Sequence, residues 1–339
     1  MSRARRNSPR RAWTVLGMLA LVGVLVGGGI ALYPFLGSAK SAHPAPVAGG
    51  LPASAAPAAP TAAPSRPAAP VSPAAALPDP PAGVLFDDFH YTGANDPALA
   101  AHGWQARTDG GGPGIKDTWS ADGISFPAEQ TAQGGQVLRL RAGTDGTKAG
   151  TRQAELFSSD SAVFDGTIAA RVFLSDQPVS GPNGDHINES FYPISASDTS
   201  ADYSELDYEY MPNGGWDVKS PELDTTSWYS TDDRVTRPQR GQHLGGWHTM
   251  VITFMNGKVT YAMDGKELFT SGGKYVPREH MGVHFNAWFI DLPFAGQRTW
   301  DMKVNWFYYQ AGKAVPTAEV QKAVDGFYGL GVNYVDTVG

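Results

Sequence analysis

The stretch "WHTMVITFMNGKVTYAMDGKELFT", Trp247 to Thr270, leaves the chain little choice in how it can fold. Asn256-Gly257 and Asp264-Gly265 are two-residue pairs between β-prone runs. Both dipeptides readily adopt the positive φ that a type I′ turn needs at its two central positions, so a three-stranded antiparallel meander is expected. Other segments read the same way. "QVLRLR" (Gln136–Arg141) alternates apolar and polar residues, "GTIAARVFL" (Gly166–Leu174) reads as a more buried strand, and "KVNWFYY" (Lys303–Tyr309) is β-rich. No long amphipathic helix precedes the end of the chain. There, "PTAEVQKAVDG" is expected to form one short helix with Thr317 as N-cap, Val320 and Val324 on one face, and Gly326 as its stop. Many short strands with almost no helix predict an all-β fold. About 230 residues of core-forming sequence favour a two-sheet sandwich over a barrel. No repeat of fixed period argues for a propeller.

The first quarter of the 339 residues is different in kind. "MSRARRNSPRR" carries five arginines and no acid, and it runs into the uncharged "WTVLGMLALVGVLVGGGIALYPFL", Trp13 to Leu36. Residues 1–37 are therefore expected to be a cytoplasmic basic end followed by a membrane anchor or an export signal. The apolar run approaches the ~20 residues that span a bilayer, which favours a retained, single-pass anchor with the N-terminus inside. Small residues at Gly29–Ala31 and Gly37–Ala39 offer cleavage sites for the alternative, a secreted chain. Residues 38–83 are mostly Ala, Pro and Ser without apolar periodicity. They are expected to form a disordered linker, biased to polyproline II and able to hold a domain roughly 100 Å from a membrane. Residues 84–312 are expected to form the β-sandwich, and residues 313–339 a C-terminal extension with the short helix. Removing the five cytoplasmic arginines takes the net charge from −7 to −12, which argues against nucleic acid as a partner. No cysteine is present, so there is no disulfide framework, thiol nucleophile or thiolate metal site.

Within the sandwich, "YSELDYEYMP" (Tyr203–Pro212) places Glu205, Asp207 and Glu209 at alternate positions. On a strand these three share one face, while Leu206, Tyr208 and Tyr210 share the other and belong to the core. The acids are then expected on an accessible surface. Spacing alone is weak evidence, because 33 acids in 339 residues would produce roughly 0.3 such triplets by chance. Electrostatics says more. Three like charges about 6–7 Å apart repel and raise proton affinity, which is what a glycosidase needs to keep one carboxyl protonated and another ionised. Glu205 and Glu209 lie roughly 13 Å apart along a straight strand. Two long arms leaning inward past a shorter Asp approach the ~5–5.5 Å separation of a retaining enzyme.

The motif "ELDYEY" resembles the Glu-x-Asp-x-Glu active-site strand of glycoside hydrolase family 16, the laminarinase and lichenase group with a concanavalin A-like jelly-roll. The similarity runs in order through "LFDDF", "FDGTIAARVFL" with its central Arg171, "SFYPIS", the meander, "FNAWF" and "VNWFYY", covering most of Leu85–Gln310. The resemblance implies a retaining hydrolase of β-linked polysaccharide, β-glucan or galactan, with Glu205 as nucleophile, Glu209 as general acid/base and Asp207 as the residue that orients and tunes Glu205. It further implies aromatic platforms for sugar rings, with Tyr192, Trp216, Trp228 and Trp288 as candidates. No cofactor is implied for catalysis. The family often holds a structural calcium through an aspartate in the final strand. Asn305 stands at that position, so calcium is not carried over and no metal ligand is assigned.

Two other functions stay open on the same residues: a transglycosylase, which shares the first chemical step, and a non-catalytic lectin-like carbohydrate-binding module. The expected partners are a polysaccharide and, if the N-terminal segment is uncleaved, the membrane, with the chain acting as a monomer on the outer side. The histidines show no metal-binding pairing, and His248 and His284, inside expected strands, read as structural. "NGGW" (Asn213–Trp216) is a turn. "NES" at Asn188 matches the glycosylation acceptor pattern, an agreement that short motifs reach by chance.

Overall fold

A computed structural model describes residues 80–338. The expected basic end, membrane segment and nearly all of the linker lie outside the described residues, among which no helix is long and apolar enough to cross a membrane. In chain order the elements are β1 (Val84–Asp87), α1 (Pro97–Ala101), β2 (Trp104–Ala106), β3 (Ile124–Ser125), β4 (Leu138–Thr144), β5 (Ala154–Ser158) and β6 (Gly166–Leu174). They continue with β7 (Ile187–Ser195), β8 (Glu205–Met211), β9 (Glu222–Ser230), β10 (Asp233–Arg240), β11 (Gly246–Met255), β12 (Lys258–Met263) and β13 (Lys266–Gly272). The last are β14 (Met281–Phe289), β15 (Arg298–Ala311), α2 (Thr317–Gly329) and β16 (Tyr334–Asp336).

These strands make two antiparallel sheets. One holds nine strands in the order β13-β12-β11-β6-β15-β1-β16, with β4 paired to the first half of β15 and β3 to β4. The other holds seven, in the order β10-β9-β8-β7-β14-β5-β2. The expected meander is β11-β12-β13. Its turn residues Asn256, Gly257, Asp264 and Gly265 all have φ between 52° and 78°, as type I′ turns require.

Side chains facing inward from both sheets fuse into one core. Leu206, Tyr208 and Tyr210 of β8 join it, with Leu138 and Leu140 of β4 and Ile168, Ala170 and Val172 of β6. The "WFYY" run of β15 lacks polar alternation because both of its faces are covered. Phe307 and Tyr309 enter the main core, while Trp306 and Tyr308 turn outward to pack under α2 with Phe86, Val320, Val324 and Phe327.

The helix corrects two expectations about its ends. Thr317 is its first residue, Pro316 occupies the cap and no side chain caps it. Gly326 lies inside, and the helix continues to Gly329. An interior glycine costs about 1 kcal/mol, whereas burying a phenylalanine yields ~1.5–3 kcal/mol. Phe327, stacked on Phe86 with ring centroids 4.7 Å apart, carries the helix past the glycine. The following β16 pairs with β1 (Phe86 opposite Val335), so Tyr334–Asp336 join the edge of the nine-stranded sheet.

Candidate active site

Because β8 turns its apolar residues to the core, Glu205, Asp207 and Glu209 face the other side of the seven-stranded sheet. There they form part of the floor of a groove of 1190 Å³. That volume exceeds the ~300–1,000 Å³ of small-molecule pockets and suits an extended ligand. The groove runs over β5, β14, β7, β8, β9 and β10, and the loop after β8 forms part of its rim.

The acids are more enclosed than expected. Asp207 is buried and Glu205 and Glu209 are half-buried; Ile194 and Trp228 stand opposite Glu205, Thr226 opposite Asp207, and Ser190 and Asp224 opposite Glu209. Each acid has a different partner. The Tyr203 hydroxyl donates to Glu205 Oε2. Trp228 Nε1 donates to Asp207 Oδ2 at 2.5 Å. Asn188 Nδ2 donates to Glu209 Oε1 at 2.8 Å, and its amide orientation is fixed because Ser190 Oγ donates to Asn188 Oδ1 at 2.8 Å. Asn188, the match to the glycosylation pattern, is fully buried and cannot receive a glycan.

Burial governs the proton affinities. Desolvation pushes Glu205 up to about 7, opposed by the Tyr203 hydrogen bond and reinforced by the charge of Glu209. Burial, then the charges of Glu205 and Glu209, raise Asp207 well above the carboxylate range, and it shares a hydrogen bond with Glu205. Burial also raises Glu209, against the Asn188 hydrogen bond. A protonated Asp207 donating to Glu205 favours the ionised form of Glu205.

All four aromatic candidates line the groove, in different settings. Trp216 is 55% exposed at the rim, its ring centroid 5.9 Å from that of the buried Trp288. It sits at the end of the tight "NGGW" turn. There Gly214 has φ +77° and a Cβ would meet the Val218 carbonyl at 2.3 Å, so only glycine fits. Trp228 holds Asp207 by its N–H, and the Arg234 guanidinium covers its ring at 4.3 Å. Tyr192 is part of the floor; its hydroxyl donates to Glu155 Oε1 and accepts from Asn286 Nδ2, both at 2.9 Å.

Sequence reasoning missed Tyr203, Asn188, Glu155, Asn286, Arg107, Arg234 and the acids of β9. It also placed His284 outside the site, whereas His284 lines the groove with its Nδ1 2.6 Å from Glu155 Oε1. Burial alone would raise Glu155, but the hydrogen bonds and charges of His284 and Arg107 leave it below its usual range. Alternation along β9 and β14 was the signal that could have found Glu222, Asp224, His284 and Asn286. His248 instead bonds Asp264 and the Leu244 carbonyl, away from the groove.

The residues at the family's calcium position do not fit a cation. Asn305 Oδ1 accepts from the Gln133 backbone N–H at 2.9 Å and Nδ2 donates to the Gln133 carbonyl at 2.8 Å, so amide hydrogens fill the place where ligand oxygens would converge. Among the described residues no group of three or more His, Asp or Glu is placed to hold a metal.

The Tyr203 hydrogen bond carries a prediction. If Glu205 is a nucleophile it must be ionised to act, and kcat/KM of the free protein is then expected to be retained above about pH 7 and lost as pH falls through it. Tyr203→Phe removes a donor that lowers the Glu205 pKa. The acid limb of the profile should move to higher pH by up to about one unit. An unmoved limb would mean that Tyr203 does not tune Glu205.

No family model and no curated protein matches the chain. Solved structures do. One is a Mycobacterium tuberculosis protein described as an immunostimulatory antigen and pseudo β-1,3-glucanase, 17% identical over 68% of this chain and 99% of that one, with TM-score 0.50. Another, described as a native glycosidic hydrolase, is 12% identical over 70% of this chain and 100% of that one, also at TM-score 0.50. A glycoside hydrolase family 16 endo-glucanase from Bacteroides ovatus is 16% identical over 66% of this chain and 98% of that one, at TM-score 0.48. At these identities the likeness shows the fold, the two-sheet jelly-roll sandwich implied by the family 16 resemblance.

Proposed function

We propose that the chain is a retaining endo-glycosidase that cleaves β-linked polysaccharide, a β-glucan or galactan. The observation that carries this reading is the placement of Glu205, Asp207 and Glu209 side by side on the floor of an open groove, each with its own hydrogen-bond donor and each with raised proton affinity. A jelly-roll neighbour described as a pseudo β-1,3-glucanase is a reminder that fold does not decide between cleavage and binding. The acids favour cleavage, since a binding module needs no proton-holding carboxyl beside an ionisable nucleophile.

In the first step Glu209 gives its proton to the glycosidic oxygen while the Glu205 carboxylate attacks the anomeric carbon, forming a covalent glycosyl ester and releasing the leaving sugar. Asp207 holds Glu205 in line. In the second step Glu209, now a carboxylate, takes a proton from water, and the hydroxide attacks the anomeric carbon and frees Glu205. The exposed Trp216 supports a sugar ring at the rim. The basic N-terminus, apolar run and Ala/Pro-rich linker support a place on the outer side of the membrane, tethered or released.

The test is a panel of β-1,3-glucan, mixed-linkage glucan and galactan assayed for new reducing ends. Proton NMR should find the first product of the active pair in the β anomer. Release of the α anomer first would exclude Glu205 as nucleophile, and binding without cleavage of any glycan would leave the lectin-like module. Transfer products exceeding hydrolysis would make the protein a transglycosylase.

A further inference from the structure

Three arginines line the groove, and two of them are already neutralised. Arg107 pairs with Glu155 and Asp109, and Arg240 pairs with Glu222. Among the described residues Arg234 has no ion pair and no hydrogen-bond acceptor. Its partner is a ring: the guanidinium lies 4.3 Å from the centroid of Trp228.

A row of side chains places it there. The antiparallel register sets Arg234 of β10 opposite Trp228 of β9, and Trp228 opposite Glu205 of β8. The register of β10 shifts between Asp233 and Arg234, a bulge of the kind that re-aims a side chain next to a site. The adjacent carboxylate does not compete for the guanidinium, because Asp233 is held by Lys274 and by the Tyr275 hydroxyl. A flat, weakly hydrated guanidinium suits the face of an indole, where the ring quadrupole attracts it. Beneath that cap the row continues as hydrogen bonds. Trp228 Nε1 donates to Asp207 Oδ2 at 2.5 Å, and Asp207 shares a hydrogen bond with Glu205.

The stack holds a positive charge beside the acids. The other titratable groups that face Glu205 and Glu209 are Tyr203 ahead of β8, Asp207 on it, Tyr192 from β7, Asp224 from β9 and Tyr261 from β12. None of these carries a positive charge. The charge of Arg234 favours the ionised form of Glu205 and of Glu209 alike. In the double displacement one negative charge sits on Glu205 before attack, on Glu209 once the ester has formed, and on Glu205 again after water attacks. A cation facing both carboxylates serves either half of the cycle.

We infer that Arg234 is a positioning residue of the reaction: laid flat on Trp228, it is the counter-charge that Glu205 and Glu209 share as the negative charge passes between them. This rests on the glycan-cleaving reading for the chemistry that the charge serves.

The experiment measures the pH profile of kcat/KM for the full chain, Arg234→Gln and Arg234→Lys, on whichever of β-1,3-glucan, mixed-linkage glucan or galactan is cleaved. Arg234 is exposed on an edge strand, so both variants should fold. Arg234→Gln removes a charge that holds both proton affinities down, so both limbs should move to higher pH together. Activity should then fall about threefold on the acid limb and rise about threefold on the alkaline limb, the size expected of an exposed charge. Arg234→Lys keeps the charge and should leave both limbs near their native positions. Tyr203→Phe, by contrast, removes a donor to Glu205 alone and should move the acid limb alone. A merely structural role for Arg234 would change kcat or KM equally at every pH. Limbs that stay in place in Arg234→Gln, or that move in Arg234→Lys as well, would overturn the assignment. Carbon-13 NMR of the glutamate carboxyls gives a reading that needs no turnover, since the Glu205 and Glu209 titrations should both move up in Arg234→Gln. If the unsubstituted chain cleaves no glycan and these titrations still move, the hydrolase reading fails and the shared counter-charge stands. Cleavage with unmoved titrations is the reverse.

Discussion

Glu205→Gln should fold normally and lose cleavage by about 10⁴-fold or more, because it removes the proposed nucleophile while keeping the shape of the side chain. Gln can still accept from the Tyr203 hydroxyl that contacts Glu205 in the native chain. The result becomes specific when small anions are added to Ala variants with a substrate carrying an activated leaving group. In Glu205→Ala, azide can enter the vacated space and attack the anomeric carbon from the side that the carboxylate used, giving an α-glycosyl azide. In Glu209→Ala the glycosyl ester on Glu205 still forms, and azide attacks it from the opposite side to give the β-azide. The two anomers therefore assign the two roles independently of rate. A β-azide from Glu205→Ala would exchange the roles of the two glutamates, and no rescue in either variant would remove both from the chemistry.

Asp185→Ala should destabilise the sandwich by about 3–5 kcal/mol, the cost of leaving a buried charge unpaired. Asp185 and Arg298 both have 0% side-chain exposure, and Arg298 Nε donates to Asp185 Oδ1 at 2.7 Å. Trp300 Nε1 donates to the other oxygen at 2.8 Å, and Arg298 Nη1 to the Gly296 carbonyl at 2.6 Å. Removing the carboxylate leaves Arg298 Nε and the Trp300 indole N–H without acceptors in the interior. Urea denaturation of the chain and of Asp185→Ala/Arg298→Met separates the causes, since the double variant, with no charge left to bury, should recover most of the loss. A single-variant cost under about 1 kcal/mol would show that water reaches Arg298. The pair also bears on the groove: the Asp185 carbonyl accepts from Asn213 Nδ2 at 3.0 Å, at the start of the turn that presents Trp216.

Local chemistry made much of the fold legible. The Asn256-Gly257 and Asp264-Gly265 turns fix φ by steric rules that act within a few residues, so the meander could be read directly. Strand alternation likewise separated Leu206, Tyr208 and Tyr210 from the acids of β8. The ends of α2 could not be read this way. Thr317 and Gly326 carry cap and stop signals worth about 1 kcal/mol each, and the stacking of Phe327 on Phe86, more than 200 positions earlier, outweighs the glycine.

By itself the sequence determined which residues alternate on each strand, where the chain must turn, and that three carboxylates share a face. These follow from backbone sterics and the two-residue period of a strand. Tertiary structure alone decided how deeply the acids are buried and which donors meet them. Tyr203, Asn188 and Trp228 reach Glu205, Glu209 and Asp207 through strand register and loop path, and desolvation, the largest influence on all three acids, exists only once the neighbouring strands have closed around them.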